Sequence, residues 1–332
     1  MKIIAQLVKE IQCNKYSISD VLRIQQIYHE SRRWSVYDVI GSARRIHADE
    51  RDKAALWHAS RAELTTQPAG IRLAVDGVKL AQNLNTSNPL GANIAHIAAA
   101  WSARYWLEEE AHHEVAYGML LEMAGLDPIA QDDVTMHRGF FPTDNYARVC
   151  MLQACVEIEA TVTYGEMAKT SREPIVKEVF HRIMKDEVQH REYFVSFAKA
   201  LLDAGVYPIK DVLSMAYTWI RPNGGETFGS ARPRQTSREG FVNWWEHVVT
   251  DDSTGVALRD DQIRAEPMQA KKVRSVLAAV QHATGVSVKS IAELKYAYLA
   301  SLTTNDVDRI RHAVAQGVQK KNSLDEELVS LH

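Results

Sequence analysis

Apolar residues recur along this chain at intervals of three and four, and runs of strict alternation are scarce, so the chain reads as all-helical. The periodic stretches predict helices over residues 17–30, 35–48, 52–85, 90–125, 145–170, 174–204 and 208–220. The breaks carry turn chemistry: Asn85-Thr86-Ser87-Asn88-Pro89, then Gly125 to Pro128, then Ser171 to Pro174. Pro68 and Gly70 fall inside the stretch 52–85 and should kink that helix or end it. Residues 239–332 read as further helices, opening with Phe241 to Val249 around Trp244 and Trp245, and the tail Lys320 to Glu327 as a frayed, charged end. The expected organisation is N-terminal helices over 1–50, a bundle core over 51–230 and a helical extension over 231–332.

Between these parts the composition shifts. Residues 221–238 bring Gly224, Gly225, Gly229, Pro222 and Pro233 together with Arg221, Arg232, Arg234 and Arg238. This reads as a long loop. Its arginines suit an acidic partner or a phosphate, and they suit a solvated basic linker as well.

With 332 residues, 46% of them hydrophobic, the chain can bury a large core. A formal net charge of -3 argues against bulk electrostatic binding to nucleic acid. Cys13, Cys150 and Cys155 have no metal or disulfide spacing and fit a reducing compartment, so a cytoplasmic location is expected. Met1 to Ile11 has no long apolar run and does not read as a signal peptide. No stretch reaches the ~18 apolar residues that a membrane span needs. A greasy substrate would have to be delivered.

Three histidines follow a glutamate at i+3: Glu109/His112, Glu110/His113 and Glu187/His190. On a helix such pairs share a face and can reach one ion. A single pair is commonplace, but two on separate long helices match the four-helix di-iron pattern, in which two other helices each add a Glu. Depth within antiparallel hairpins selects the remaining ligands. Glu157 and Glu187 each lie 15 residues from Arg172 in the turn between their helices, which is about 22 Å of helix per arm. Glu63 and Glu110 lie 24 and 23 residues from Ser87, whereas Asp76 lies only 11 from it. Glu63 is therefore the expected sixth ligand. Glu159 would point to the other side of its helix, about 200° from Glu157.

The face of Glu110 continues to Trp106, Tyr117 and Leu121, and that of Glu109 to Tyr105, Glu108 and Ala116. The first is more apolar and suits a buried cluster. The expected ligand set is Glu63, Glu110, His113, Glu157, Glu187 and His190. Glu109 and Asp186 each precede a ligand, and are expected to accept the outer N–H of His190 and His113 respectively. Four carboxylates and two imidazoles make a hard, anionic site suited to two Fe ions, whereas zinc takes fewer ligands and often thiolates. His58, His96 and His181 have no matching partner and read as packing or surface residues.

On these residues the chain resembles the soluble acyl-carrier-protein desaturases. Trp106-Leu-Glu-Glu-Glu-Ala-His-His113 is similar to that family's Trp-x-x-Glu-Glu-x-x-His segment, and Lys185-Asp-Glu-Val-Gln-His190 to its Asp-Glu-x-x-His segment. Thr163 to Ala168 resembles its Ser-His-Gly-Asn-Thr-Ala, a register that again selects Glu157. Val75-Asp76-Gly77 resembles its Leu-Asp-Gly, a register that again selects Glu63. The resemblance covers about residues 50–225. It implies a ferritin-like four-helix bundle with flanking helices, usually a homodimer. It also implies an O2-dependent reaction with electrons from a ferredoxin-like donor and a fatty acyl chain on a carrier protein as substrate.

The pattern is broken at Ala160, where the family carries threonine, and the span from Asp76 to Trp106 is longer than the family's. Desaturation, hydroxylation and N-oxygenation therefore all remain open as outcomes. N-oxygenases of this kind tend to carry a further histidine at the position of Ile183, which counts against that outcome. An iron-storing ferritin relative is disfavoured by the length and the tryptophans near the site. A metal-free scaffold is the remaining alternative.

Overall fold

The structure is a computed structural model. It describes residues 17–64, 66–129, 145–220 and 255–308. The arginine-bearing segment 221–238, the stretch around Trp244, the tail beyond 308 and Cys13 lie outside the described residues.

The protein is all-α, a ferritin-like bundle with flanking helices, and the described residues contain no strand. In chain order the elements are α1 (Ile18–Arg32), α2 (Val36–Ile40), α3 (Glu50–Glu63), α4 (Thr66–Leu84), α5 (Pro89–Trp101), a π-helical segment (Ser102–Trp106), α6 (Leu107–Met123), α7 (Tyr146–Thr170), α8 (Pro174–Asp203), α9 (Ile209–Ile220), α10 (Gly255–Thr284) and α11 (Ile291–Ala300). The four columns of the bundle are α3 with α4, α5 with α6, α7, and α8. The first column packs on the second and on α7; α8 packs on α7 and on the second. Helix α1 lies on α5, and α9 and α10 cover α7, with α10 also reaching α8.

Helix starts follow from local chemistry. Asn88 accepts from the Gly91 N–H with Pro89 in the first turn, Asn145 accepts from the Arg148 N–H, and Asp49 from the Asp52 N–H. Two long helices expected from periodicity are broken. The stretch 52–85 divides into α3 and α4 at Leu64 to Thr66, before Pro68 and Gly70. Pro68 falls in the first turn of α4, where its missing N–H costs no hydrogen bond. The stretch 90–125 holds the π segment, an insertion that hydrophobic spacing does not reveal. The stretch 35–48 is helical only to Ile40 and closes at Gly41, whose φ of 58° favours glycine.

The first two columns approach closely. A Cβ on Gly77 of α4 would lie 2.9 Å from the Ala99 Cβ and 2.8 Å from the Tyr146 hydroxyl. The core forms two apolar clusters toward opposite ends of the bundle. One holds Trp101, Trp106, Phe194, Met151 and the α10 residues Val276 and Val280; the other holds Tyr117, Tyr164, Phe180, Leu120 and Leu56. Large side chains of this kind each contribute roughly 1.5–3 kcal/mol on burial. Charged side chains cross the bundle between these two clusters.

Candidate metal centre

Each column delivers acids or imidazoles to this belt. Glu63 is the last residue of α3. Glu110 and His113 lie on α6, one and two turns beyond the π segment. Glu157 lies on α7, and Glu187 and His190 on α8. All six are buried, none more than 3% exposed. Glu63, Glu110, His113 and Glu187 form one group and Glu110, Glu157, Glu187 and His190 another; within each group one potential ligand atom per residue lies within 4.8 Å of the others. Glu110 and Glu187 belong to both groups. Each group is completed by one further Glu and one His, Glu63 and His113 in the first and Glu157 and His190 in the second.

The histidines are oriented for this. His190 Nδ1 faces inward, 3.0 Å from Glu110 Oε1 and 2.9 Å from Glu187 Oε2. Its Nε2 is paired with Glu109 Oε2 at 2.7 Å. His113 Nδ1 lies 3.4 Å from Glu187 Oε1 and makes no hydrogen bond, while its Nε2 lies 3.4 Å from Asp186 Oδ2. Anchoring the outer nitrogen fixes the tautomer that leaves the inner one free for a ligand.

A second layer, contributed by α1 and the segment after it, holds the two acids in turn. Arg32 donates to Asp186 Oδ1 at 2.8 Å and sits 3.6 Å from Glu109 Oε1. Trp34 Nε1 donates to Asp186 Oδ2 at 2.7 Å. His29 pairs through Nδ1 with Glu109 at 2.8 Å and through Nε2 with Glu108 at 2.5 Å. A cavity of about 50 Å³ opens beside these groups, lined by Arg33, Trp34, Glu108 and His112 among others. No spacing along the chain points to His29, Arg32 or Trp34, because their partners lie at least 75 residues away in sequence. Tyr164, which donates to Glu63 Oε1 at 2.9 Å, is equally silent in the sequence.

The electrostatics follow from crowding buried acids and imidazoles together. Burial first, then the nearby charge of Glu110, pushes the Glu63 carboxyl well above its ordinary range. Burial, then Glu187 and Glu110, does the same to Glu157. Burial also works against an ionised Glu110, but the neighbouring His113 and His190 imidazoles outweigh it and hold its carboxyl low. Both imidazoles, despite burial, are held well above their usual value, His113 by Asp186, Glu110 and Glu187, and His190 by Glu109, Glu110 and Glu187.

Glu63 adds a further indication. It is a carboxylate at a helix C-terminus, where the dipole disfavours negative charge, and its Oε2 is buried without a hydrogen-bond partner. Four buried carboxylates beside two inward imidazole nitrogens form a donor set that divalent or trivalent cations would satisfy. The residues fit two metal ions.

Asp76 is not part of this group; it pairs with Arg72 and Lys79 on the surface of α4. His58, His96 and His181 are outside it, with His58 packed on Trp57. His112 packs edge-on against Trp34 instead of facing inward. Ile183 is fully buried in the apolar cluster, so its position adds no imidazole.

Part of the chain is similar to a curated protein. Over 107 residues it is 29% identical to the protein named "Putative acyl-(acyl-carrier-protein) desaturase DesA2" of Mycobacterium tuberculosis, with the same match in strains CDC 1551 / Oshkosh and H37Rv. The match covers 31% of this chain and 39% of that relative. No family model matches the chain, and no solved structure does. No described helix is long and apolar enough to cross a membrane.

Proposed function

We propose that the chain is an O2-dependent oxidoreductase with a di-iron centre held by Glu63, Glu110, His113, Glu157, Glu187 and His190. The observation that carries this reading is the pair of overlapping buried groups sharing Glu110 and Glu187. When bound, two irons would supply reductive activation of dioxygen for attack on an unactivated C–H bond. The protein's own part is positioning and insulation. Asp186 and Glu109 keep the outer nitrogens of His113 and His190 protonated and hold both rings in place. Arg32 balances the charge of those two acids. The apolar clusters on either side exclude bulk water from the acids.

The substrate in this reading is an acyl chain delivered on an acyl carrier protein, with electrons from a ferredoxin-like donor. Its support is the likeness of the two Glu-x-x-His segments and the name of the mycobacterial relative. A homodimer in the cytoplasm belongs to the same proposal.

The test is a metal count after anaerobic reconstitution, followed by optical spectra on adding O2 to the reduced protein. About two irons per chain are expected, falling to near zero in Glu110→Ala and His190→Ala, because each removes a ligand. Iron content unchanged by both substitutions would refute the site. Equal use of free and carrier-bound acyl chains would refute the substrate class alone.

A further inference from the structure

On the His190 side, aromatic rings run from the acid cluster toward the outer wall. The His190 ring lies 6.5 Å from Trp106 and 6.3 Å from Trp101. The two indoles are parallel within 9° at 6.2 Å. Trp101 stacks on Tyr193 at 4.5 Å. Tyr193 and Tyr28 line, with Trp101 and His190, one cavity of about 10 Å³. Tyr28 is half-buried on α1, and its hydroxyl donates to Gln189. Phe194 and Phe197 pack against Trp101 and shield it.

The opposite side differs. There Tyr117, Tyr164 and Phe180 contact one another, and all three are buried to 1% exposure or less.

Packing alone accounts for aromatic stacking worth ~0.5–1.5 kcal/mol per pair. It does not require that successive rings be oxidisable ones ending at a half-exposed phenol. Indole and phenol lose one electron far more readily than phenylalanine or aliphatic side chains, and stacked rings pass electrons through π overlap. We propose that Tyr28, Tyr193, Trp101 and Trp106 form a relay that carries oxidising equivalents from the buried site to the surface when no substrate consumes them.

The inference rests on the reading of the site as an O2-using metal centre. One electron moves inward from Tyr28 through Tyr193 and the indoles, and the oxidised centre is reduced by one electron. The Tyr28 O–H bond breaks and its proton passes to solvent, leaving a neutral phenoxyl radical. The Arg32 guanidinium, 5.2 Å above the Tyr28 ring, disfavours positive charge there and so couples electron loss to proton loss. A small soluble thiol returns one hydrogen atom to the phenoxyl, and two resulting thiyl radicals join as a disulfide.

The experiment loads the full chain with ferrous iron and admits O2 without substrate or thiol. Freeze-quenched samples are read by electron paramagnetic resonance and by mass mapping of oxygen added to each peptide. Wild-type protein is expected to show a phenoxyl signal that Tyr28→Phe abolishes. Trp101→Phe should raise oxygen addition at Trp106 and His190 several-fold, with iron content unchanged in both variants. Iron bound and oxidised by O2, with no aromatic radical and with oxidation maps identical in all three proteins, overturns the relay and leaves the metal centre standing. Failure of the wild type to bind iron overturns both.

Discussion

The two halves of the bundle reach the same site by different means. In the α7–α8 hairpin both helices run unbroken, over 25 and 30 residues. Glu157 and Glu187 meet because each is equally far from the turn. The other half is interrupted twice, between α3 and α4 and again at the π segment. Both interruptions lie beside site residues: Glu63 ends α3, and Glu110 follows the π segment by four residues. A π turn inserts one residue and so rotates everything beyond it by about 100°. Regular helix suffices to bring acids to equal depth, whereas irregular helix re-aims them.

The sharpest way to break this comparison is to remove one acid of each kind. If the two halves share the ions through Glu110 and Glu187, Glu187→Ala should release both, while Glu157→Ala should leave about one per chain. Atomic emission on anaerobically loaded protein measures this, and equal losses in the two variants would show that Glu187 is not shared between two ions.

Next in size are the acids behind the histidines. Asp186→Asn and Glu109→Gln should each lower metal affinity or turnover by ~10–100-fold while the fold is kept. Chelator competition reads the affinity directly. Wild-type behaviour in both would reduce these residues to surface acids, and a loss in only one would show that the two positions are unequal.

Glycines compare the packing of the halves. Gly77→Ala places a methyl against the Ala99 Cβ, which cannot move without its backbone. It should destabilise by ~1–3 kcal/mol. Gly165, in the unbroken hairpin, has 3.6 Å to its nearest neighbour, Met184. Gly165→Ala should instead stabilise by ~0.5–1 kcal/mol through helix propensity. Denaturant melts of both variants decide the sign.

The smallest effect concerns Glu63 without metal. Glu63→Gln keeps an acceptor for the Tyr164 hydroxyl and removes a buried acid that is costly to ionise at a helix C-terminus. The metal-free protein should gain ~1 kcal/mol, and the same variant should bind iron more weakly. Opposite signs in apo stability and metal affinity are the expected signature; equal signs would mean that Glu63 is a structural acid.

Much of this was legible in residue order. Helical periodicity and the turn from Ser171 to Pro174 place α7 and α8 to within a residue or two. The i, i+3 pairs and the counts from two turns single out six side chains that the fold brings together, and they separate Glu63 from Asp76. These are local quantities: a helix converts residue number into depth and angle by fixed increments, so spacing along one chain is already geometry. Pro68 and Gly70 announce the break after Glu63 to within a few residues, but the π segment before Glu110 is not visible in the same way. A π turn preserves apolar spacing on either side of itself. Nor can spacing reveal that Arg32, Trp34 and His29 close the back of the site, or that Trp101, Tyr193 and Tyr28 line up outward from His190. Those contacts join α1 to α6 and α8 and α5 to α8. They follow from how separate helices pack against one another, which has no period along the chain.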